Sequence, residues 1–580
     1  MKNKIVLGAS IGNCVHVAGI INFLNIAKSH GYDTIFLGPA TGTEILKSKI
    51  LEIKPDIVAL SYRLTPENVS KILVDIDEFR KNINFTDTKW CFGGTKPVAD
   101  AARAFDFFEY ISDGFDDIDD CACFLNGIEK DDKYREYQGN IIDRINEKYP
   151  YPVLRHHFGL PSYEDTLEGI KEIADAKILD VISLGPDQNT QQFFFNQQNM
   201  DKKNDGAGGV PLRTREDFIN LKEATKRGNH PLIRCYSGTA DVFKMADLLI
   251  ETIDNAWSAI PLCWYNELDG RGDRSVEVSI DEAQRLIKYH GDRNIAVEIN
   301  EPHHWSLRDA HDVMSVFMAY VSAYNAKKYG VKNYIAQYMF NTPNTLSFSM
   351  DLARVMAMVE LVEELSDDNF KIYRQVRAGL NYLSPDLDIA KGQLAATTFL
   401  AMNIKPHIIH VVGFNEAEHA ATPENIIESC KIVRGVIRNL VNDSIDLSKN
   451  DEIIKRKENL ISEVKYLKDF ICDFYKDYED PLSNAFVLAD CIKRGIIDAP
   501  HIVKNDKFRG ILSTRVIDGK CQACSGLAYS DEKMKELSEK ERIDALRENG
   551  NLDISSLKSE TKKKPMPKQE KIRIKTLINQ

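Results

Sequence analysis

No run of eighteen apolar residues occurs anywhere in the chain, which excludes a simple membrane-spanning helix. A G-x-x-x-x-G-K-[ST] loop is missing, and the first loop, Gly8-Ala9-Ser10-Ile11-Gly12-Asn13, lacks the full G-x-G-x-x-G spacing, so ATP or NAD binding is not indicated. Without a G-x-S-x-G elbow or Asp-rich phosphoryl-transfer signatures, serine hydrolysis and phosphoryl transfer are poor readings. Positive charge is in deficit. Seventy-five Lys and Arg face 87 Asp and Glu, a net charge of -12 that argues against general nucleic-acid binding. The 11 cysteines fall into no disulfide framework, which fits reduced thiols. Cys521-Gln522-Ala523-Cys524 is a lone pair with no nearby histidine, readable as a loop, half a metal site or a redox pair. A positively charged leader with a cleavage site is not seen, and a cytoplasmic protein is expected.

What is present describes an enzyme of several domains. The 580 residues exceed what one hydrophobic core serves, and 43% hydrophobic with 28% charged residues is ordinary for a globular protein. Short apolar runs at Val6-Leu7, 33–37, 57–61, 90–92 and 108–111 alternate with stretches of helical length, the pattern of a parallel sheet covered on both faces. Binding chemistry in such a domain comes from the loops after the strands. His16, in Cys14-Val15-His16-Val17-Ala18-Gly19, lies in the first of them, where an imidazole can ligate a flat cofactor or serve as a capping or core group.

The set His16-x-x-Gly19, Ser61-Tyr62-Arg63-Leu64-Thr65 and Gly93-Gly94 resembles the cobalamin-binding module shared by glutamate mutase, methylmalonyl-CoA mutase and methionine synthase. The resemblance implies that His16 coordinates cobalt and that Gly19, Ser61, Leu64, Thr65, Gly93 and Gly94 pack against the cofactor and its detached nucleotide tail. One departure is Cys14, which stands where that family has an aspartate two residues before the histidine. A thiol is a weak hydrogen-bonding group and does not replace a carboxylate in raising imidazole basicity.

After a charged, tyrosine-rich stretch read as a helical connector, strand-like runs recur at 178–184, 231–236, 259–264, 294–300, 334–339, 371–376 and 407–412. Separated mostly by helix-length segments, they predict a (β/α)8 TIM barrel with one strand unresolved, and candidate groups then fall at the carboxyl ends of the strands. The set expected to act on substrate is Tyr236, Asn266, Glu267, Asn300 and Arg377, with Asp187, Asn341 and Glu416 on the same face. His303-His304 with His311 is a weak metal candidate, because adjacent histidines point apart.

Fragments of the barrel, among them Tyr236-Ser237-Gly238-Thr239-Ala240-Asp241, Ile299-Asn300 before Glu301-Pro302, and Asn415-Glu416-Ala417, resemble the catalytic subunit of adenosylcobalamin-dependent glutamate mutase. By that likeness Glu416 contacts the adenosyl ribose. The family's three substrate-clamping arginines are not retained; the first falls at Ala207 and the third near Tyr236, and neither side chain copies a guanidinium fork. The implied function is an adenosylcobalamin-dependent radical isomerase, a carbon-skeleton mutase-like enzyme acting on a small organic acid other than glutamate. The alternatives are a methylcobalamin-dependent methyltransferase and a non-catalytic cobalamin-binding protein. The expected organisation is α/β: a Rossmann-like cobalamin-binding domain (1–125), a connector (126–160), a TIM barrel (161–445), a small C-terminal α+β region (446–551) and a flexible basic tail (552–580). A homodimer is the default expectation for an enzyme of this size.

Overall fold

The computed structural model describes residues 4–83, 87–114, 118–127, 137–236, 238, 240–441, 445–502, 508, 512–525 and 535–553. Nearly all of the expected basic tail lies outside the described residues. Two compact units emerge, Met1–Glu136 and Tyr137–Gln580. Among the described residues no helix is long and apolar enough to cross a membrane.

The first unit is a five-stranded parallel sheet of β1 (Ile5–Ser10), β2 (Asp33–Phe36), β3 (Ile57–Tyr62), β4 (Lys89–Gly94) and β5 (Tyr110–Ser112), in the order β2-β1-β3-β4-β5. Every residue of β3 is buried, as a central strand sandwiched between helices requires. Two separate apolar clusters fill the space on the sheet's faces, one around Leu60, Leu73 and Val98 and the other around Val6, Leu24 and Cys91. At Gly8 a Cβ would come within 2.9 Å of Leu24, so glycine allows the helix Ala18–Ser29 to lie close on β1.

The second unit is built on an eight-stranded parallel barrel of β6 (Val153–Phe158), β7 (Val181–Leu184), β8 (Leu232–Arg234), β9 (Ser258–Ile260), β10 (Val297–Ile299), β11 (Asn333–Phe340), β12 (Lys371–Ala378) and β13 (Ile408–His410). Strand pairing runs β8-β7-β6-β13-β12-β11-β10-β9. The remaining seam is bridged by Ala256 N–H, just ahead of β9, donating to Ile233 O at 3.0 Å. The strand unresolved in the sequence is β6, which falls inside the segment read as connector. Its Arg155, His156 and His157 interrupt the apolar run that marks a buried strand, and among the described residues from 127 on the connector's helical part is Ile141–Lys148. Several outer helices are started by side-chain caps, for example Ser162 on Asp165 N–H and reciprocal capping boxes at Thr214/Asp217 and Thr422/Asn425.

The C-terminal region belongs to the barrel's unit. Its helix Asp451–Phe474 packs against the helices Asp312–Lys328 and Phe348–Glu363, and β14 (Ser513–Ile517), β15 (Lys520–Ser525) and β16 (Lys535–Glu536) form a small antiparallel sheet. Buried Glu539 holds this region down by pairing with His311 and with Arg542 at 2.8 Å, while Arg542 also donates to the carbonyls of Gly495 and Ile496. Cys521 and Cys524 are buried in β15, with their thiols directed at the carbonyls of Ala310 and Gln522.

Candidate functional site

At the carboxyl edge of the first sheet the register aligns small residues across four strands, Ser10 beside Ser61, Ser61 beside Gly93 and Gly93 beside Ser112. This row makes a low shelf. A Cβ on Gly93 would meet nothing within 4 Å, whereas one on Gly94 would sit 2.9 Å from the Tyr62 carbonyl, so Gly93 fronts open space and Gly94 is needed for packing. The loop above is braced by Ser10, whose hydroxyl donates to Cys14 O at 2.8 Å and lies 3.2 Å from His16 O. His16 is exposed, with Nδ1 3.7 Å from the buried Cys14 thiol, and Nε2 is the nitrogen left to a ligand. Gly19, Leu64 and Thr65 are also exposed.

The helices that begin at this edge, Ala18–Ser29, Thr43–Ile53, Pro66–Lys81 and Lys96–Ala102, all lack a side-chain cap. In Ala18–Ser29 and Thr43–Ile53 the first N–H groups are therefore available to an anionic ligand, whereas Pro66 and Pro97 remove one such donor from each of the other two.

The barrel lumen is layered. Its base is apolar, with Val153, Val181, Leu232, Trp257, Ala296, Ile335 and Ile408 clustered around Ile141 and Ile145 of the helix Ile141–Lys148, which plugs the amino-terminal end. The next layer is polar and buried. Arg155 donates to Gln375 Oε1 at 2.9 Å, Ser183 Oγ at 2.9 Å and Gln337 Oε1 at 3.2 Å. Glu298 accepts from Trp257 Nε1 at 2.7 Å and Gln375 Nε2 at 3.0 Å, and pairs with Arg234 at 3.4 Å. Gln337 Nε2 donates to His303 Nδ1 at 2.7 Å, which assigns the proton of the neutral ring to Nε2. Sequence reasoning missed Arg155, Glu298, Gln337, Gln375 and His410. The available signal was a charged or amide residue in the middle of an otherwise apolar strand, since period-two alternation turns such a residue into the lumen.

Above this floor Arg377, on β12, is partly buried and makes one long hydrogen bond, to Ala378 O at 3.3 Å. Burial pulls its pKa down to about 10, with the charges of Glu416 and Glu298 acting the other way. Glu416 is exposed by area, yet desolvation raises its pKa against the pull of Arg377. Tyr236 is partly buried, and desolvation moves its phenol well above the usual range. Asn300 follows β10, with Oδ1 buried and without a hydrogen-bond partner.

The other two residues of the expected catalytic set are occupied locally. Asn266 donates to Cys263 O at 3.0 Å and accepts from Leu268 N–H at 2.8 Å, while Glu267 accepts from Val276 N–H at the start of the helix Val276–Asp292. Asp187 is held by Arg213 at 2.6 Å and by Thr190, and Asn341 accepts from Thr397. Glu301 receives Leu262 and Cys263 N–H at 2.6 and 2.9 Å and Trp305 Nε1 at 2.9 Å, tying the loop after β9 to that after β10. Trp264 packs on Trp305, with Arg308 over its indole at 3.7 Å.

Five buried histidines lie on the strands of this unit or in the segment after β10. Burial lowers His156 to about 4 and His304 to about 3, and drives His157, His303 and His410 well below 6.5, with the Arg377 charge adding to each. They are neutral imidazoles at pH 7. His303 and His304 stack on each other and His311 turns away to Glu539, so the histidines expected as a weak metal candidate do not converge. Among the described residues no group of three or more His, Cys, Asp or Glu is arranged to hold a metal ion.

No protein-family model matches the chain, and no curated protein does so. Among solved structures it is similar to a cobalamin-binding protein from Desulfitobacterium hafniense, at 18% identity and a TM-score of 0.19 over 23% of this chain. The chain spans 60% of the length of that protein. A Rubisco-like protein from Rhodopseudomonas palustris is similar at 9% identity and a TM-score of 0.29, over 52% of this chain and 69% of that one. OxsB, a cobalamin-dependent S-adenosylmethionine radical enzyme, is similar at 11% identity and a TM-score of 0.17, over 87% of this chain and 77% of that one.

Proposed function

We propose that the chain is a cobalamin-dependent enzyme, and specifically an adenosylcobalamin-dependent radical isomerase that acts on a small organic acid other than glutamate. The observation that carries this reading is the exposed His16 imidazole beside a shelf of small residues, Ser10, Ser61, Gly93 and Ser112. The residues present fit the group: a ring nitrogen free to ligate, a glycine with open space in front of it, and the uncapped ends of the helices Ala18–Ser29 and Thr43–Ile53, suited to a phosphodiester tail.

His16 would ligate cobalt through Nε2, and Gly19, Ser61, Leu64, Thr65, Gly93 and Gly94 would line the rest of the cofactor site. Bound adenosylcobalamin supplies a homolysable cobalt–carbon bond and hence an adenosyl radical for hydrogen abstraction. The protein's own task is to bind the acid, fix its orientation and exclude water. Tyr236, Asn300 and Arg377 suit the first two roles, since each has polar atoms not consumed by local structure. Asn266 and Glu267 are positioning residues that shape the loop after β9. Glu416 is the residue assigned to the adenosyl ribose.

The test is spectroscopic. Purified protein titrated with adenosylcobalamin in the dark should change the cofactor's absorption, and the EPR spectrum of the cob(II)alamin-loaded form should carry a superhyperfine coupling that changes on 15N-histidine labelling. His16→Ala should abolish that coupling. Unchanged cobalt coordination in the variant would sink the assignment, and binding of methylcobalamin with loss of its methyl group would replace isomerisation by methyl transfer.

A further inference from the structure

The polar floor of the barrel carries an unbalanced charge. Arg155 and Arg234 are buried, Arg377 is partly buried above them, and Glu298 is the buried anion that answers them, at 4.0 Å from Arg155 and 3.4 Å from Arg234, while the exposed Glu416 acts on Arg377 from beyond ion-pair distance. Among the described residues Arg377 has no carboxylate within 4.0 Å, although it lies close enough for its charge to be felt by histidines on β6, on β13 and in the turn after β10. Buried cations are ordinarily paired, because an unpaired one loses its hydration without compensation. The neutral histidines add no positive charge, but they add no counter-ion either.

A second observation points to a ligand with both donors and acceptors in the same space. Arg234 Nε, Asn300 Oδ1 and His410 Nδ1 are buried with no hydrogen-bond partner, and all three belong to strands or strand ends around this same space, where Glu298 Oε1 is likewise buried without a partner. Native proteins leave few such atoms unsatisfied, and those left over commonly mark ligand sites.

We propose that the barrel lumen receives one carboxylate group of its ligand, held by the Arg377 guanidinium above the Arg155–Glu298–Arg234 floor, and that Arg377 determines specificity for a singly charged acid. The inference rests on reading the barrel as the substrate chamber of the function proposed above. Of the oxyanions that arginine binds, a carboxylate is favoured over phosphate because its two coplanar oxygens match one guanidinium fork, and Arg377 presents such a fork with no carboxylate of the described residues within 4.0 Å of it. Tyr236 and Asn300 then face the part of the ligand that is not charged. The arrangement differs from a clamp on a dicarboxylate, which needs a second guanidinium without a carboxylate partner; Arg155 is committed to Gln375, Ser183 and Gln337, and Arg234 is paired with Glu298 at 3.4 Å and lies over the Trp257 indole.

The experiment uses the full chain without cobalamin. Isothermal titration with acetate, isobutyrate, succinate and inorganic phosphate, and with isobutyramide as the uncharged control, should give saturable binding of the monocarboxylates and none of the amide. Arg377→Gln should weaken that binding by about tenfold or more, the loss of one charge-assisted pair. Arg377→Lys, which keeps the charge without the fork, should fall between the two. Both variants should keep the parent's cobalamin absorption change, which reports folding and His16 independently of the lumen. Equal binding of acid and amide, phosphate preferred over the acids, absence of saturable acid binding in the parent, or acid binding that Arg377→Gln leaves intact would each overturn the proposal. Acid binding without any cobalamin response would leave this inference standing and remove the cofactor reading instead.

Discussion

Two adjacent glycines separate packing from binding at the scale of single residues. The Gly94 Cβ position lies 2.9 Å from the Tyr62 carbonyl and 3.0 Å from Val98, so Gly94→Ala forces the strand off its neighbour and should cost about 1–3 kcal/mol in urea unfolding. Gly93→Ala projects a methyl group into open space. It should leave the unfolding midpoint unchanged and weaken cobalamin binding in a spectral titration; equal loss of stability in both variants would show that the shelf is a packing surface only. His16, Ser61 and Gly93 were legible in the sequence because loops at the carboxyl edge of a parallel sheet are fixed by chain order alone. Asn266 and Glu267 were placed equally well, but which partner satisfies a polar side chain there depends on the fold of the loop, and both turn back onto their own backbone.

Strand β6 and the helix before it show what an element owes to its surroundings. Leu154-Arg155-His156-His157 has too much charge to read as a buried strand, and it becomes one because Arg155 finds three side-chain acceptors on β7, β11 and β12. The helix Ile141–Lys148, by contrast, announces itself through Ile141 and Ile145 on one face and the Asn140 cap. That face closes the barrel base. Ile145→Ala should open a cavity there and destabilise the barrel unit by about 2–5 kcal/mol, measured by urea unfolding followed by tryptophan fluorescence, since Trp257 lies in the same cluster. A change below about 0.5 kcal/mol would mean that the plug contributes little.

For the molecule as a whole, the buried histidines set its response to acid. His156, His157, His303, His304 and His410 all have pKa values below 6.5 in the folded state, down to about 4 for His156 and about 3 for His304. Unfolded chains bind these protons first, so stability is full above pH 6.5 and falls as the pH drops from there toward the folded values. Each histidine contributes a slope of about 1.4 kcal/mol per pH unit within that window. Urea midpoints should therefore decline from pH 6.5 to 4, less steeply than the five histidines alone would give because Asp498, raised to about 6, and the likewise raised Glu301 and Asp351 take up protons in the folded state, and before Glu539, held down to about 2, begins to lose its pairing with Arg542. A flat profile above pH 5 would show that the imidazoles are hydrated. Replacing His156 by Gln should make the decline shallower by about one proton's slope.

By itself the sequence determined the parallel sheet, seven of the eight barrel strands and the residues along the carboxyl edge of the first unit, because hydrophobic periodicity and strand-end loops are local properties of a chain. Only the tertiary structure decided which polar side chains share the lumen. Arg155 meets Gln375 across 220 positions of sequence, and Trp257, Glu298 and Gln375 form one network only when the barrel closes. Closure brings distant strands to hydrogen-bonding distance in a medium where unpaired charge is costly, and that cost, absent from any single segment, selects the partners.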